Sequence, residues 1–276
     1  MIHRFGVLPS TRNCSVESGK EGAVKTIIGL IVIVGAGLAI AVSGSGPIIA
    51  AAEQAVVAEK GQPDETQLPV YTPPKKLTPR ARVGGTLRGT EGKDPEIVAL
   101  VPDHVGLTVK QTPVLNWFLS KPTTYPIVFT LNAVQQVLPI YEKPLPSPKQ
   151  EGVQSIDLKT LGITLEPNIQ YRWYISARRN SSSHSEDIVA GGVIERCEIN
   201  ECLITIGGPI TTCDQQSVII NAKNGLWYDA MACICSLIDA KSGDPSLRRQ
   251  RAELLRQVGL HGVADWDMRS IRSALQ

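Results

Sequence analysis

Aromatic side chains are scarce: Phe, Trp and Tyr make up 5% of the 276 residues, against 42% hydrophobic residues overall. The core must therefore rest mainly on aliphatic burial, and each tryptophan marks a large and specific contact. Histidine is scarcer still, and His104, His184 and His261 stand far apart without H-x-x-H or H-E-x-x-H spacing, which excludes the usual zinc motifs. There is no G-x-S-x-G elbow for a nucleophilic serine. His184 lies in the run Ser181–Asp187, which reads as a polar hairpin loop rather than part of a triad. Gly84, Gly85 and Gly89 neither form G-x-G-x-x-G nor join a strand to a helix, so they predict a tight turn and not a phosphate cradle. No catalytic residue, cofactor or metal site is expected.

Charge of one sign is also missing. The formal net charge is +2, and residues 1–52 carry four of the basic and two of the acidic side chains, so the remainder is neutral. A neutral chain gains little from counterion release, which excludes nucleic acid as an expected partner.

What is present begins with an address. Thr26–Val42 is an uncharged apolar run after Lys25, followed by the breaker cluster Ser43–Pro47 and then Ala50-Ala51-Ala52. Basic flank, apolar centre and small-residue exit are the layout of a secretory signal. As a helix the run would rise only about 26 Å, short of the hydrocarbon core, so cleavage after Ala52 is expected over permanent spanning. No cysteine follows at lipoprotein spacing and no Arg-Arg pair precedes the run, which predicts neither lipidation nor twin-arginine export. Residues 1–23 are a long preface, and a start near Val24 would give a signal of ordinary length. Contact with a membrane is expected only through this segment, if it stays uncleaved.

Residues 53–82 hold Pro63, Pro69, Pro73, Pro74 and Pro79 with little apolar periodicity, and predict an extended, disordered linker. Over 83–198 short β-rich runs alternate with turn residues: Ile97–Val101, Gly106–Lys110, Val114–Ser120, Tyr125–Ala133, Val137–Glu142, Val153–Leu158, Gln170–Arg178 and Ile188–Arg196. Seven or eight strands at this spacing predict an immunoglobulin-like antiparallel β-sandwich, with Pro144–Pro148 falling between strands. Tyr171, Trp173, Ile175 and Ala177 share one face of their strand, which is assigned to the core. Arg172, on the opposite face, predicts a cross-strand ion pair.

Residues 199–276 form a cysteine-containing connector and C-terminal helices. Leu226, Trp227, Ala230, Met231, Ile234, Leu237 and Ile238 make one apolar helical stripe. Asp244 and Pro245 cap and open a second helix bearing Leu247, Leu254, Leu255 and Val258, with Gly259 as its stop. The pair is a helical hairpin that must bury its apolar faces on the sandwich or on a partner. It looks like half of one tetratricopeptide repeat joined to half of the next, with Ala230 and Leu237 at packing positions.

Six segments in order resemble the bacterial family known as domain of unknown function 928: Gly84–Gly89, Ala99–Pro102, Gly106–Thr108, Thr112-Pro113 leading to Trp117-Phe118, Tyr171–Tyr174 and Asn224–Ala230. The resemblance spans roughly residues 83–262. It implies a secreted protein of a Gram-negative or cyanobacterial cell, often encoded near surface adhesins, sensor proteins or tetratricopeptide-repeat proteins, and it implies no activity. The chain departs from the family pattern between Cys197 and Cys213, where relatives look helical and poor in cysteine.

Five cysteines follow residue 52. Cys197, Cys202 and Cys213 are the disulfide candidates, with Cys202–Cys213 or Cys197–Cys213 as pairings. Cys233 and Cys235 point about 200° apart on one helix, so they neither bond nor share a metal, and one reads as a small buried apolar residue. Trp173, Trp227, Tyr228 and Asp229 mark a candidate junction between sandwich and helices, with Asp229 either anchoring the helix or solvated. Arg248, Arg249 and Arg251 are the candidate docking cations.

These features predict an exported, non-enzymatic protein–protein interaction module in the periplasm or at the cell surface, whose partner is an envelope or surface protein. Two alternatives compete. One is a small-ligand-binding or catalytic envelope protein with a cleft at the junction; the other is a membrane-anchored subunit of an envelope complex, held in the inner membrane by an uncleaved segment.

Overall fold

Alternating apolar residues and well-placed turns produce eight strands in the computed structural model, which describes residues 67–74, 81–84, 94–180, 183–199 and 212–274. The apolar segment at 26–42, and with it the expectation of export and cleavage, lies outside the described residues. The strands are β1 (Ile97–Ala99), β2 (Gly106–Thr108), β3 (Val114–Leu119), β4 (Ile127–Ala133), β5 (Tyr141–Leu145), β6 (Gly152–Asp157), β7 (Gln170–Ala177) and β8 (Ile188–Arg196). They form a three-stranded sheet, β1-β3-β6, and a five-stranded sheet, β2-β8-β7-β4-β5. Leu115, Trp117 and Leu119 from the first and Phe129, Leu131, Trp173 and Ile175 from the second share one core. Each set is spaced by two residues, as side chains on one face of a strand must be.

Two departures from the expected sandwich have physical causes. β2 pairs parallel with β8, Gly106 opposite Ile194 and Thr108 opposite Arg196, so the five-stranded sheet is mixed. Three residues suffice there because the helix that begins at Trp227 also packs on β2. β5 begins at Tyr141 and takes in Pro144, whereas Val137, Leu138 and Ile140 project from the hairpin loop before it. A proline is tolerated because β5 is an edge strand with only β4 beside it.

Arg172 is exposed, and its register neighbours are Asn132 and Val193, so no acid stands opposite it for the expected ion pair. His184 sits in the β7–β8 loop, where its Nδ1 is 3.1 Å from Asp187 Oδ2, while Ser183 and Ser185 bond each other. Gly84 adopts a φ of 70° just after Val83 bridges to Gly191, a backbone turn that a side chain would strain.

Among the described residues four helices follow, not two: α1 (Gln215–Lys223), α2 (Trp227–Ala240), α3 (Pro245–Gln257) and α4 (His261–Ala274). The expected hairpin is α2 with α3. Asp214 caps α1 through Ser217 N at 2.7 Å, and Asp244 caps α3 through Ser246 N at 2.8 Å, with Pro245 in the first turn. Gly259, at a φ of 76°, ends α3 but not the chain, which turns into α4 and buries Val263, Ala264 and Ile271. Among the described residues no helix is long and apolar enough to cross a membrane.

Part of the segment expected to be a disordered linker is packed. Tyr71 is buried, edge-on to Trp227 and stacked on His104, and Arg82 donates to the carbonyls of Val101 and Val258 at 3.1 and 2.9 Å. Val258 closes α3, where the exposed carbonyls favour a cation.

The cysteines also pair differently from expectation. Cys213, ahead of α1, is bonded to Cys233 in α2, a loop closed over a separation of 20 residues. Cys197 is also disulfide-bonded, Cys202 lies outside the described residues, and Cys235 is a buried free thiol. The apolar stripe of α2 does not reveal Cys233 as a partner; α1, folding back on α2, brings Cys213 to it. Replacing both Cys213 and Cys233 by serine lowers stability by about 3 kcal/mol, read from denaturant curves in which the midpoint falls and the m-value rises as the unfolded chain loses its cross-link.

Candidate functional site

The first turn of α2 enters the sandwich with three consecutive polar contacts. Trp227 Nε1 donates to the Leu100 carbonyl at 2.8 Å. The Tyr228 hydroxyl accepts from Trp173 Nε1 at 2.9 Å and donates to the Val193 carbonyl at 3.2 Å. Asp229 Oδ2 accepts from Val109 N at 3.0 Å. Successive helical side chains point about 100° apart, so the three reach different strands. Trp227 reads the segment after β1, Tyr228 reads β7 and β8, and Asp229 reads the end of β2.

The close approach requires Gly106. A Cβ there would lie 2.6 Å from Tyr228 Cε2, so any other residue would push the phenol ring out of its slot. This explains why Gly106–Thr108 and Asn224–Ala230, far apart in sequence, belong to one motif set. Burial pushes the Tyr228 phenol up and keeps it neutral, as a group that both donates and accepts must be. Burial also raises the Asp229 carboxyl, against the lowering effects of Lys110, the Val109 N–H and Thr108. Asp229 is 2% exposed and therefore anchors the helix rather than facing solvent.

Trp173, Trp227, Tyr228 and Asp229 are thus brought together, and they fill the space they share. Trp173 and Trp227 are 0% exposed and Tyr228 2%, which leaves no cleft at the junction for a ligand. A concavity of about 610 Å³ lies elsewhere, between Pro126, Val128, Glu142, Lys143, Pro144, Arg178 and Arg179 at the β4–β5–β7 edge. Its arginines are engaged: Arg178 with Glu142 at 2.8 Å and Arg179 with Asp94.

The three candidate docking cations separate. Arg251 is 2% exposed and grips Asp267 of α4 with two hydrogen bonds of 2.8 and 2.6 Å, its third nitrogen lying 3.5 Å from Cys235 Sγ. Arg248 reaches the same carboxylate at 3.3 Å and lies 5.9 Å from the centre of the Trp266 ring. Only Arg249 is exposed. The signal was available: Arg251 is four residues after Leu247 and four before Leu255, on the apolar stripe, and Asp267 bears the same relation to Val263 and Ile271. A forked guanidinium facing a buried carboxylate is the arrangement in which losing either partner is costly.

The Asp229 carboxyl makes stability depend on pH. Because its native value is raised above the ordinary 3.8, the folded chain retains a proton that the unfolded chain has released. This contribution is therefore greatest below that ordinary value and is lost as pH rises through the raised native one. Asp229→Asn, which keeps an acceptor for Val109 N–H, flattens that dependence in melting curves taken from about pH 4 to about pH 8; an unchanged slope would place the titration elsewhere.

Among solved structures, a multi-domain immunophilin from Arabidopsis thaliana aligns with 60% of this chain and 98% of its own at 7% identity, but its TM-score of 0.16 is too low to indicate a shared fold. No curated protein matches the chain. The family described as Domain of Unknown Function (DUF928) matches residues 83–268, from the Val83 bridge through β1–β8 and into α4. That interval contains the sandwich, the Trp227–Asp229 insertion and the Arg251–Asp267 pair, and the chain belongs to the DUF928 family.

Proposed function

We propose that this chain is an exported, non-enzymatic interaction module of the bacterial envelope. The observation that carries the reading is the β4–β5 hairpin loop. Val134, Val137, Leu138 and Ile140 are 45%, 95%, 77% and 48% exposed within seven residues. Apolar side chains clustered on a protruding loop lose water contact only when a partner covers them. Beside them, Pro144 lacks the N–H that an added strand would need, so this edge favours docking by side chains over sheet extension.

Two further observations support the address. The apolar run at 26–42 has the composition of an export signal, and the Cys213–Cys233 bond suits an oxidising compartment. The filled junction supports interaction over a ligand cleft at that place.

A photo-cross-linking residue in place of Val137, introduced into the full reading frame in a Gram-negative host, tests the role and the address together. The expected product is periplasmic, lacks residues 1–52 by intact mass, and forms a discrete adduct with an envelope protein that Leu138→Asp abolishes without lowering the melting temperature. A folded chain that forms no adduct overturns the interaction role. A product retaining 26–42 in the membrane fraction makes the chain an anchored subunit.

A further inference from the structure

The packed segment 67–74 is held as a peptide ligand would be held. Pro69 and Tyr71 face inward and are buried, while Leu68 and Val70 face outward at 48% and 65% exposure. This is the two-residue alternation of an extended chain. One side chain reads its backbone from both sides: Gln257 Oε1 accepts from Tyr71 N at 2.7 Å, and Gln257 Nε2 donates to the Pro69 carbonyl at 2.9 Å. Thr72 N donates to the Ala222 carbonyl at 3.0 Å at the end of α1. The Tyr71 ring enters between Trp227 and His104. Most of these polar contacts are to main-chain atoms, so they would accept many sequences.

Seven residues before Gln257, two turns back on α3, Gln250 repeats half of this grip. Its Nε2 donates to the Gln67 carbonyl at 3.4 Å, but its Oε1 is buried with no partner among the described residues. In the pattern set by Gln257, the oxygen takes the N–H two residues after the carbonyl that the nitrogen binds. For Gln250 that residue is Pro69, which has no N–H. The chain's own segment leaves a buried acceptor unsatisfied that another peptide would satisfy.

Building on the interaction reading, we propose that the groove formed by α3, the α1–α2 turn and the β1–β2 loop is a peptide-recognition site, filled in the resting chain by residues 67–74. Its partner is an extended, uncharged segment with an aromatic side chain at the Tyr71 position and a residue other than proline two positions earlier. The covalent segment has the advantage of a high effective concentration. The added N–H to Gln250 gives the partner a contact that the covalent segment lacks.

Full-length chain carrying Tyr71→Ala, which vacates the ring site, is titrated against fluorescent peptides of residues 67–74 and of the same segment with Pro69→Ala. Thr72→Pro, which removes a single backbone donor, serves if circular dichroism shows the first variant unfolded. Both peptides are expected to bind saturably, the alanine peptide about five-fold more tightly, as one additional buried hydrogen bond implies. The unaltered chain is expected to bind both at least about ten-fold more weakly because its own segment competes. Gln250→Leu should erase the difference between the peptides, and Gln257→Ala should weaken both. No saturable binding to a folded variant, or tighter binding of the proline peptide, overturns the site. Cross-linking at Val137 reads another surface, so adducts there without peptide binding overturn this groove alone and leave the interaction role standing.

Discussion

The hydroxyl of Tyr228 sits between the Trp173 indole and the Val193 carbonyl, inside a sandwich it reaches from a helix more than thirty residues downstream of the last strand. An indole N–H in a core needs an acceptor, and a carbonyl of a central strand needs a donor where the ladder does not supply one. One phenol meets both needs. Trp227 and Asp229 on either side do the same for the Leu100 carbonyl and the Val109 N–H, so the start of α2 completes the hydrogen bonding of the sheets. Without the helix these strands would bury unsatisfied polar groups, and without the sandwich the helix would expose two large aromatic rings. The two parts are therefore one folding unit, and the small size of Gly106 is the steric condition for it.

From that anchor the rest of the helical half follows by apolar stripes and one buried ion pair. The Cys213–Cys233 bond pins α1 to α2, and Arg251 with Asp267 pins α3 to α4. A buried pair of this kind contributes less to net stability than to orientation, because the desolvation of both charges offsets much of their attraction. What it does define is register: with Asp267 held by Arg251 and Arg248, Trp266 lies edge-on against Phe118 of β3. Two of the three candidate docking cations, Arg248 and Arg251, are thereby spent on internal order, and the most exposed apolar side chains, Val137 and Leu138, lie in the β4–β5 loop.

The leader is drawn into this scaffold through main-chain contacts. Gln257 and the end of α1 hold its backbone, Pro69 and the Tyr71 ring are the buried side chains, and Arg82 ties the chain again where α3 ends. A proline-rich stretch suits such a role because its extended form is already favoured before docking, which lowers the entropy lost on ordering it.

Alternation and punctuation in the sequence by themselves determined the strands other than β5, the core face of β7 and the α2–α3 hairpin with its Asp244 and Pro245 start. These are local properties, written in spacings of two and of three to four residues. The ordered motifs Gly106–Thr108, Tyr171–Tyr174 and Asn224–Ala230 also pointed to the family, although not to the reason they occur together. Other features were decided only in the tertiary structure: the parallel β2–β8 pair, the Cys213–Cys233 bond, the burial of Arg251 and the docking of residues 67–74. Each depends on which surfaces meet across long separations in the chain. A charged residue on a stripe or a proline-rich leader reads as solvated until the partner that compensates its burial comes into contact with it.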